Sequence, residues 1–158
     1  MFSRGDALTS AGLTGFNSTF SYVYDDFFIN TIGGEEANPA TEFWQLALNF
    51  KRAEVGGGQL RVTTGDSVLW ALVTTQRAVV PLRLNGPRVV QANTNFKITV
   101  TDGETHRPVP LATVGEDMTD FDGQVEIEAG DVGTEHQLRA NFPGRFVRSN
   151  VLTVTVVE

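Results

Sequence analysis

The chain of 158 residues contains no cysteine. Disulfides and thiolate chemistry are therefore excluded, and cysteine usage says nothing about redox compartment. Basic residues are sparse. There are two lysines, Lys51 and Lys97, and only Lys51 and Arg52 are adjacent bases. With a formal net charge of −7 the chain offers no basic stripe to release counterions, so nucleic acid is set aside as a partner. No apolar run approaches the roughly 20 residues of a membrane helix, and membrane insertion is not expected. The opening MFSRGDALTS has no apolar stretch before a small-residue site, so it does not read as a signal peptide. His106 and His136 are the only histidines and lack His-x-x-x-His spacing, which argues against zinc. No Gly-x-Ser-x-Gly elbow is present, so nucleophilic catalysis has no support.

What is present is enough to build a core. Hydrophobic residues make up 41% of the chain and charged residues 20%, with eleven Phe and two Trp. The length suits one large domain or two small ones. Residues 3–13 predict one short helix, with Asp6 as N-cap, Ala7, Leu8 and Ala11 on one face, and Gly12 at its end. Residues 14–34 are rich in Phe, Tyr, Val and Ile and predict strands, punctuated by Gly33-Gly34. FWQLALNF, residues 43–50, alternates Trp44, Leu46, Leu48 and Phe50 on one side. Its expected partner is DSVLWALV, residues 66–73, where Val68, Trp70 and Leu72 repeat the pattern. Between them the Gly56-Gly57-Gly58 run lacks the Lys-Ser/Thr ending of a phosphate loop and reads as a flexible connection.

From about residue 78 short strands recur at regular spacing: AVVPLRL, NFKITVTD, PVPLATV, QVEIEA, HQLRANF and NVLTVTVV. Asn85-Gly86-Pro87, Asp102-Gly103, Asp122-Gly123 and Pro143-Gly144 mark turns between them. This is the pattern of a β-sandwich. The expected organisation is two touching domains, 1–79 and 80–158, without a Gly/Ser linker.

The second half resembles a bacterial-type immunoglobulin-like or carboxypeptidase-regulatory-like sandwich. The likeness is carried by FKITVTDGETHRPVPLATV, TDFDGQVEIEA, HQLRANFPG and RSNVLTVTV. The first half resembles the carboxyl-terminal-like domain of transcobalamin, a small α+β, β-grasp-type module. Here GFNSTFSYVYDDFFINTIGG, FWQLALNF with the following VGGG, and TGDSVLWAL carry the likeness. Asn49 is followed by Phe50 where that family has Gly. The family module opens with a hairpin before its helix, whereas this chain starts at the helix, so its sheet is expected to expose strand edges that invite strand addition. Together the resemblances imply a mainly β fold from a secreted microbial protein.

Candidate chemistry is thin. Asp25, Asp26, Glu35, Glu36 and Glu42 cluster loosely, but a glycosidase needs two carboxylates about 5–10 Å apart across a sugar, and no spacing selects a pair. Asp120 and Asp122, with Glu116 and Asp117 nearby, resemble the start of a calcium loop, but position 12 is Asp131, and a hairpin turn explains Asp-Gly more simply. Asn17 opens an N-glycosylation sequon, relevant only in a eukaryotic secretory pathway, and Arg4-Gly5-Asp6 at a helix start reads as chance. A cross-link between Lys97 and Asn150 is disfavoured, because Phe96, Ile98 and Val100 claim the inner face of their strand. Tyr22, Tyr24, Phe27 and Phe28 are the aromatics best placed for an exposed ligand contact, whereas the row in FWQLALNF reads as core.

The expected role is therefore a non-enzymatic structural or adhesive module, extracellular or at a cell surface, without a cofactor. It is expected to associate with a protein partner or with itself through strand edges. A module binding a small ligand or glycan on the first domain is the first alternative, and a carboxylate-dependent hydrolase the second.

Overall fold

A computed structural model describes residues 15–74 and 79–158. The helix expected over residues 3–13, with Arg4-Gly5-Asp6, lies outside the described residues. The fold is mainly β, and no helix occurs among the described residues. The chain divides into two compact units, Met1–Val79 and Val80–Glu158.

The first unit holds six strands among its described residues: β1 Phe16–Ser21, β2 Asp26–Ile32, β3 Glu35–Glu36, β4 Glu42–Leu48, β5 Lys51–Arg52 and β6 Val68–Thr74. They form two three-stranded sheets, β1-β2-β3 and β5-β4-β6. β1 and β2 make an antiparallel hairpin, with a register shift between Asn17 and Ser18. β4 and β6 pair as their matching alternation predicts: Trp44 lies opposite Leu72, Leu46 opposite Trp70, and Leu48 opposite Val68. The two apolar rows are thus cross-strand neighbours on one face of one sheet. Phe50 leaves that row. Asn49 and Phe50 have φ of 51° and 69°, forming the two-residue turn into β5. The turn forms without a glycine because the Asn49 side chain braces it, donating to Asp66 Oδ1 (2.7 Å) and accepting from the Ser67 N–H (2.9 Å).

The glycine run is packed, contrary to the expectation of a flexible connection. A Cβ on Gly56 would stand 2.2 Å from Asp26 Oδ2, and one on Gly57 3.0 Å from the Trp70 ring. Only residues without a side chain let the backbone approach these groups so closely.

The second unit holds β7 Leu82–Asn85, β8 Val89–Gln91, β9 Asn95–Asp102, β10 Thr113–Val114, β11 Asp117–Met118, β12 Gln124–Glu128, β13 Glu135–Leu138, β14 Ala140–Asn141 and β15 Leu152–Val157. Two sheets, β12-β9-β7 and β13-β15-β8, enclose one core, with a small sheet β11-β10-β14 beside them. Phe96, Ile98 and Val100 of β9 pack in one cluster with Leu152, Val154 and Val156 of β15. This is a two-layer sandwich. Lys97 points to solvent, as the alternation requires, and lies opposite Glu126.

Three expected strands are shorter than their sequence suggests. AVVPLRL pairs as a strand only from Leu82, after Pro81. PVPLATV is strand only at Thr113–Val114, because Pro108 and Pro110 donate no N–H and Leu111 has φ 62°. HQLRANF breaks at Arg139: β13 pairs with β15, whereas β14 pairs with β10.

Candidate functional site

The β1–β2 hairpin ends in a turn whose apolar residues face solvent. Tyr22 and Val23 are 91% and 85% exposed. Asp25 has φ 49°, which turns the chain so that the next residue, Asp26, points inward and is buried. Asp26 Oδ1 accepts the N–H of Phe27 (2.7 Å) and of Gly58 (3.1 Å). The Gln59 amide donates to the carbonyls of Tyr24 (3.1 Å) and Asp25 (3.3 Å). These bonds tie the glycine turn to the hairpin, and the aromatic residues around them enclose a cavity.

That cavity has a volume of about 380 Å³. Tyr24, Phe27 and Phe28 of the hairpin line it, with Phe43, Trp44, Gln45 and Leu46 of β4, Trp70 of β6, and Arg52, Glu54 and Gly56 of the connecting segment. Its size and aromatic lining fit the range of small-molecule sites. Both tryptophans of the chain contribute to it. The row read as core in FWQLALNF therefore has two roles: Leu46 is buried, while Trp44 and Trp70 are half-buried and form part of the cavity wall.

Four buried polar atoms in the described residues have no hydrogen-bond partner: Asp26 Oδ2, Gln45 Oε1, Trp44 Nε1 and Trp70 Nε1. All four belong to residues lining this cavity. Gln45 is otherwise engaged, its amide nitrogen donating to the Val79 carbonyl. Buried polar groups are satisfied in the great majority of cases, so four orphans at one cavity single the place out.

The other predicted positions are distributed as follows. Tyr24, Phe27 and Phe28 line the cavity; Tyr22 does not, and packs edge-on against Phe20 at 5.0 Å between ring centroids. Asp120 Oδ1 accepts the N–H groups of Asp122 and Gln124, which makes Asp120–Gly123 a side-chain-braced turn. Glu116 and Asp117 sit at the β10–β11 turn. No group of three or more His, Asp or Glu placed to hold a metal occurs among the described residues, so Asp120, Asp122, Glu116 and Asp117 are not brought together as a calcium cage. Asn17 is exposed on β1. Of the loose acidic cluster, Asp26 alone is buried, while Asp25 faces solvent.

Sequence reasoning missed Trp44, Gln45, Trp70 and Asp26 as cavity residues. The available signals were a charged residue next to aromatics at a strand start, and a glutamine on a strand that is buried on both faces.

No curated protein matches the chain. Residues 6–74 match the family described as Domain of unknown function (DUF4430), which is related to transcobalamin-like modules; the match contains every residue that lines the cavity and stops short of the sandwich.

Proposed function

We propose that the first unit is a non-enzymatic binding module for a small organic ligand, carried in an extracellular or cell-surface protein, with the sandwich as its spacer. The observation that carries this reading is the cavity of about 380 Å³ lined by the aromatic rings of Tyr24, Phe27, Phe28, Phe43, Trp44 and Trp70. The likeness of this half to the transcobalamin carboxyl-terminal-like domain, through FWQLALNF and TGDSVLWAL, supports the same assignment. A thermal-shift screen of a small-molecule library against the whole chain tests it. A ligand at a hundred times its Kd adds about 2.7 kcal/mol to stability. Hits should lose their effect in Trp70→Ala; a screen with no hit, or hits indifferent to Trp70, sinks the reading.

A second reading is strand-edge association with a protein partner or another copy. The observation favouring it is β6, a seven-residue strand hydrogen-bonded on one side only, to β4, among the described residues. Light scattering after gel filtration over a concentration range decides it. Mass that grows with concentration supports it, and a monomer throughout removes self-association.

A further inference from the structure

We propose that the cavity takes a small quaternary ammonium compound, its methylated head seated against the faces of aromatic rings; this rests on the cavity being a ligand site. Six rings line the space: Tyr24, Phe27, Phe28, Phe43, Trp44 and Trp70. Three of them keep open surface, with Tyr24 66%, Phe28 50% and Phe43 36% exposed. Tyr24 and Phe28 stand 5.6 Å apart between centroids with their planes at 72°, so the pair makes a corner and not a stack. The face of an aromatic ring is negative and its edge positive. A cation in a corner lined by rings is attracted to their faces, which is how aromatic cages hold quaternary ammonium groups.

Fixed charge favours the same sign. The charged residues of the lining are Asp26, Arg52 and Glu54. Arg52 and Glu54 are both exposed and of opposite sign, which leaves the Asp26 carboxylate in excess. Asp26 is buried beside Gly56, itself a lining residue, and its donors among the described residues are the uncharged N–H groups of Phe27 and Gly58. It does not touch the ligand; its field reaches the cavity through protein, which screens less than water does. The same burial selects the kind of cation. A primary ammonium carries three N–H donors that need acceptors. Asp26 Oδ1 is taken by two N–H groups and Oδ2 is sealed from solvent, so Glu54 is the one lining carboxylate left to accept them. A quaternary ammonium has no donor to satisfy and presents methyl groups to the rings.

The chain supplies its own reporters, since both of its tryptophans line the cavity. The experiment is a titration of the ¹⁵N-labelled full chain, following the two indole N–H resonances. Choline is the probe, and 3,3-dimethyl-1-butanol, which has its shape without its charge, is the control. Choline should move both resonances saturably, and the alcohol should bind about tenfold more weakly, the worth of two or three cation–π contacts. Tyr24→Leu keeps apolar bulk and removes one ring, and should weaken choline about threefold while leaving the alcohol unchanged. Asp26→Asn keeps an oxygen for the Phe27 and Gly58 N–H groups, removes the charge, and should act in the same direction. Glycine betaine carries the same head with a carboxylate: tighter binding than choline assigns that anionic end to Arg52, and weaker binding assigns a simple cation. Benzoate and the dye 1-anilinonaphthalene-8-sulfonate serve as counter-probes. If the alcohol matches choline, or a counter-probe moves the indole signals and choline does not, the cation assignment is overturned while the cavity remains a ligand site. If no probe moves them, both fail.

Discussion

Gly56 lies so close over Asp26 that a Cβ there would stand 2.2 Å from Asp26 Oδ2. The neighbouring Gly58 is under the same constraint, 2.6 Å from Oδ1, and its N–H donates to that oxygen. The turn and the carboxylate are therefore fitted to each other. Gly56→Ala should destabilise the first unit by about 1–3 kcal/mol, the usual cost of overpacking. Asp26→Ala removes the obstructing carboxylate, so the two changes together should cost less than the sum of their separate costs. Urea denaturation of the two single variants and the double variant measures this coupling. Strict additivity would show that Asp26 does not set the path of the turn.

Thr119 is the polar hinge of the second unit. It is 2% exposed, its hydroxyl donates to the Val109 carbonyl (2.7 Å), and it accepts the Ala112 N–H (3.0 Å). Thr119→Val keeps the shape but leaves the Ala112 N–H and a buried carbonyl unpaired. A loss of about 1–3 kcal/mol is expected. Thr119→Ser keeps the hydroxyl and should cost about 0.8 kcal/mol, the value of one buried methyl-sized group. Hydrogen exchange at the Ala112 amide should accelerate in the valine variant and stay near wild type in the serine variant. Equal exchange in both would assign Thr119 to packing alone.

Asn150 holds β7 from the side. Its Oδ1 accepts the Leu84 N–H (3.0 Å) and its Nδ2 donates to the Leu84 carbonyl (3.2 Å), so the amide substitutes for a strand partner. An amide engaged in this way is not consumed in a bond to Lys97, whose side chain faces solvent. The intact mass should equal the sequence mass with no loss of ammonia. Asn150→Ala should cost about 1–3 kcal/mol through the unpaired Leu84 groups. A mass short by one ammonia would overturn this assignment.

Much of the sandwich was legible because its strands alternate strictly. NFKITVTD reads as one buried and one wet face, and β9 spans those same eight residues, Asn95–Asp102. Where strands change sheets the signal fails. Nothing in HQLRANF marks Arg139 as the break between β13 and β14. β8 has only three residues and pairs in parallel with β15, far along the chain, which no local pattern encodes. In the first unit the β4–β6 pairing was legible from matched rows of Trp and Leu, but the cavity was not. A row of large apolar residues looks the same whether its far side meets other side chains or a ligand space. The cavity forms only where β2, β4, β6 and the glycine turn come together, and that meeting is a property of three dimensions.

Asp66 makes the Asn49 turn sensitive to acid. Its carboxyl lies below the usual carboxylate range, first because the Asn49 amide donates to it, then because the Thr63 N–H and hydroxyl do; desolvation opposes them. A depressed folded-state pKa means the folded protein binds the proton more weakly than the unfolded chain. The stabilisation is therefore fully present above the unfolded value, about 3.9 for Asp, and is lost as pH falls through the lower folded value. Asp66→Asn lacks this titration. Near neutral pH the variant should unfold at lower urea than the wild type, and the gap should narrow once the pH drops below about 4. The other carboxylates are common to both proteins and cancel in the difference. A gap that stays constant with pH would mean that the geometry of the side chain, and not its charge, holds Asn49, Thr63 and Ser67 together.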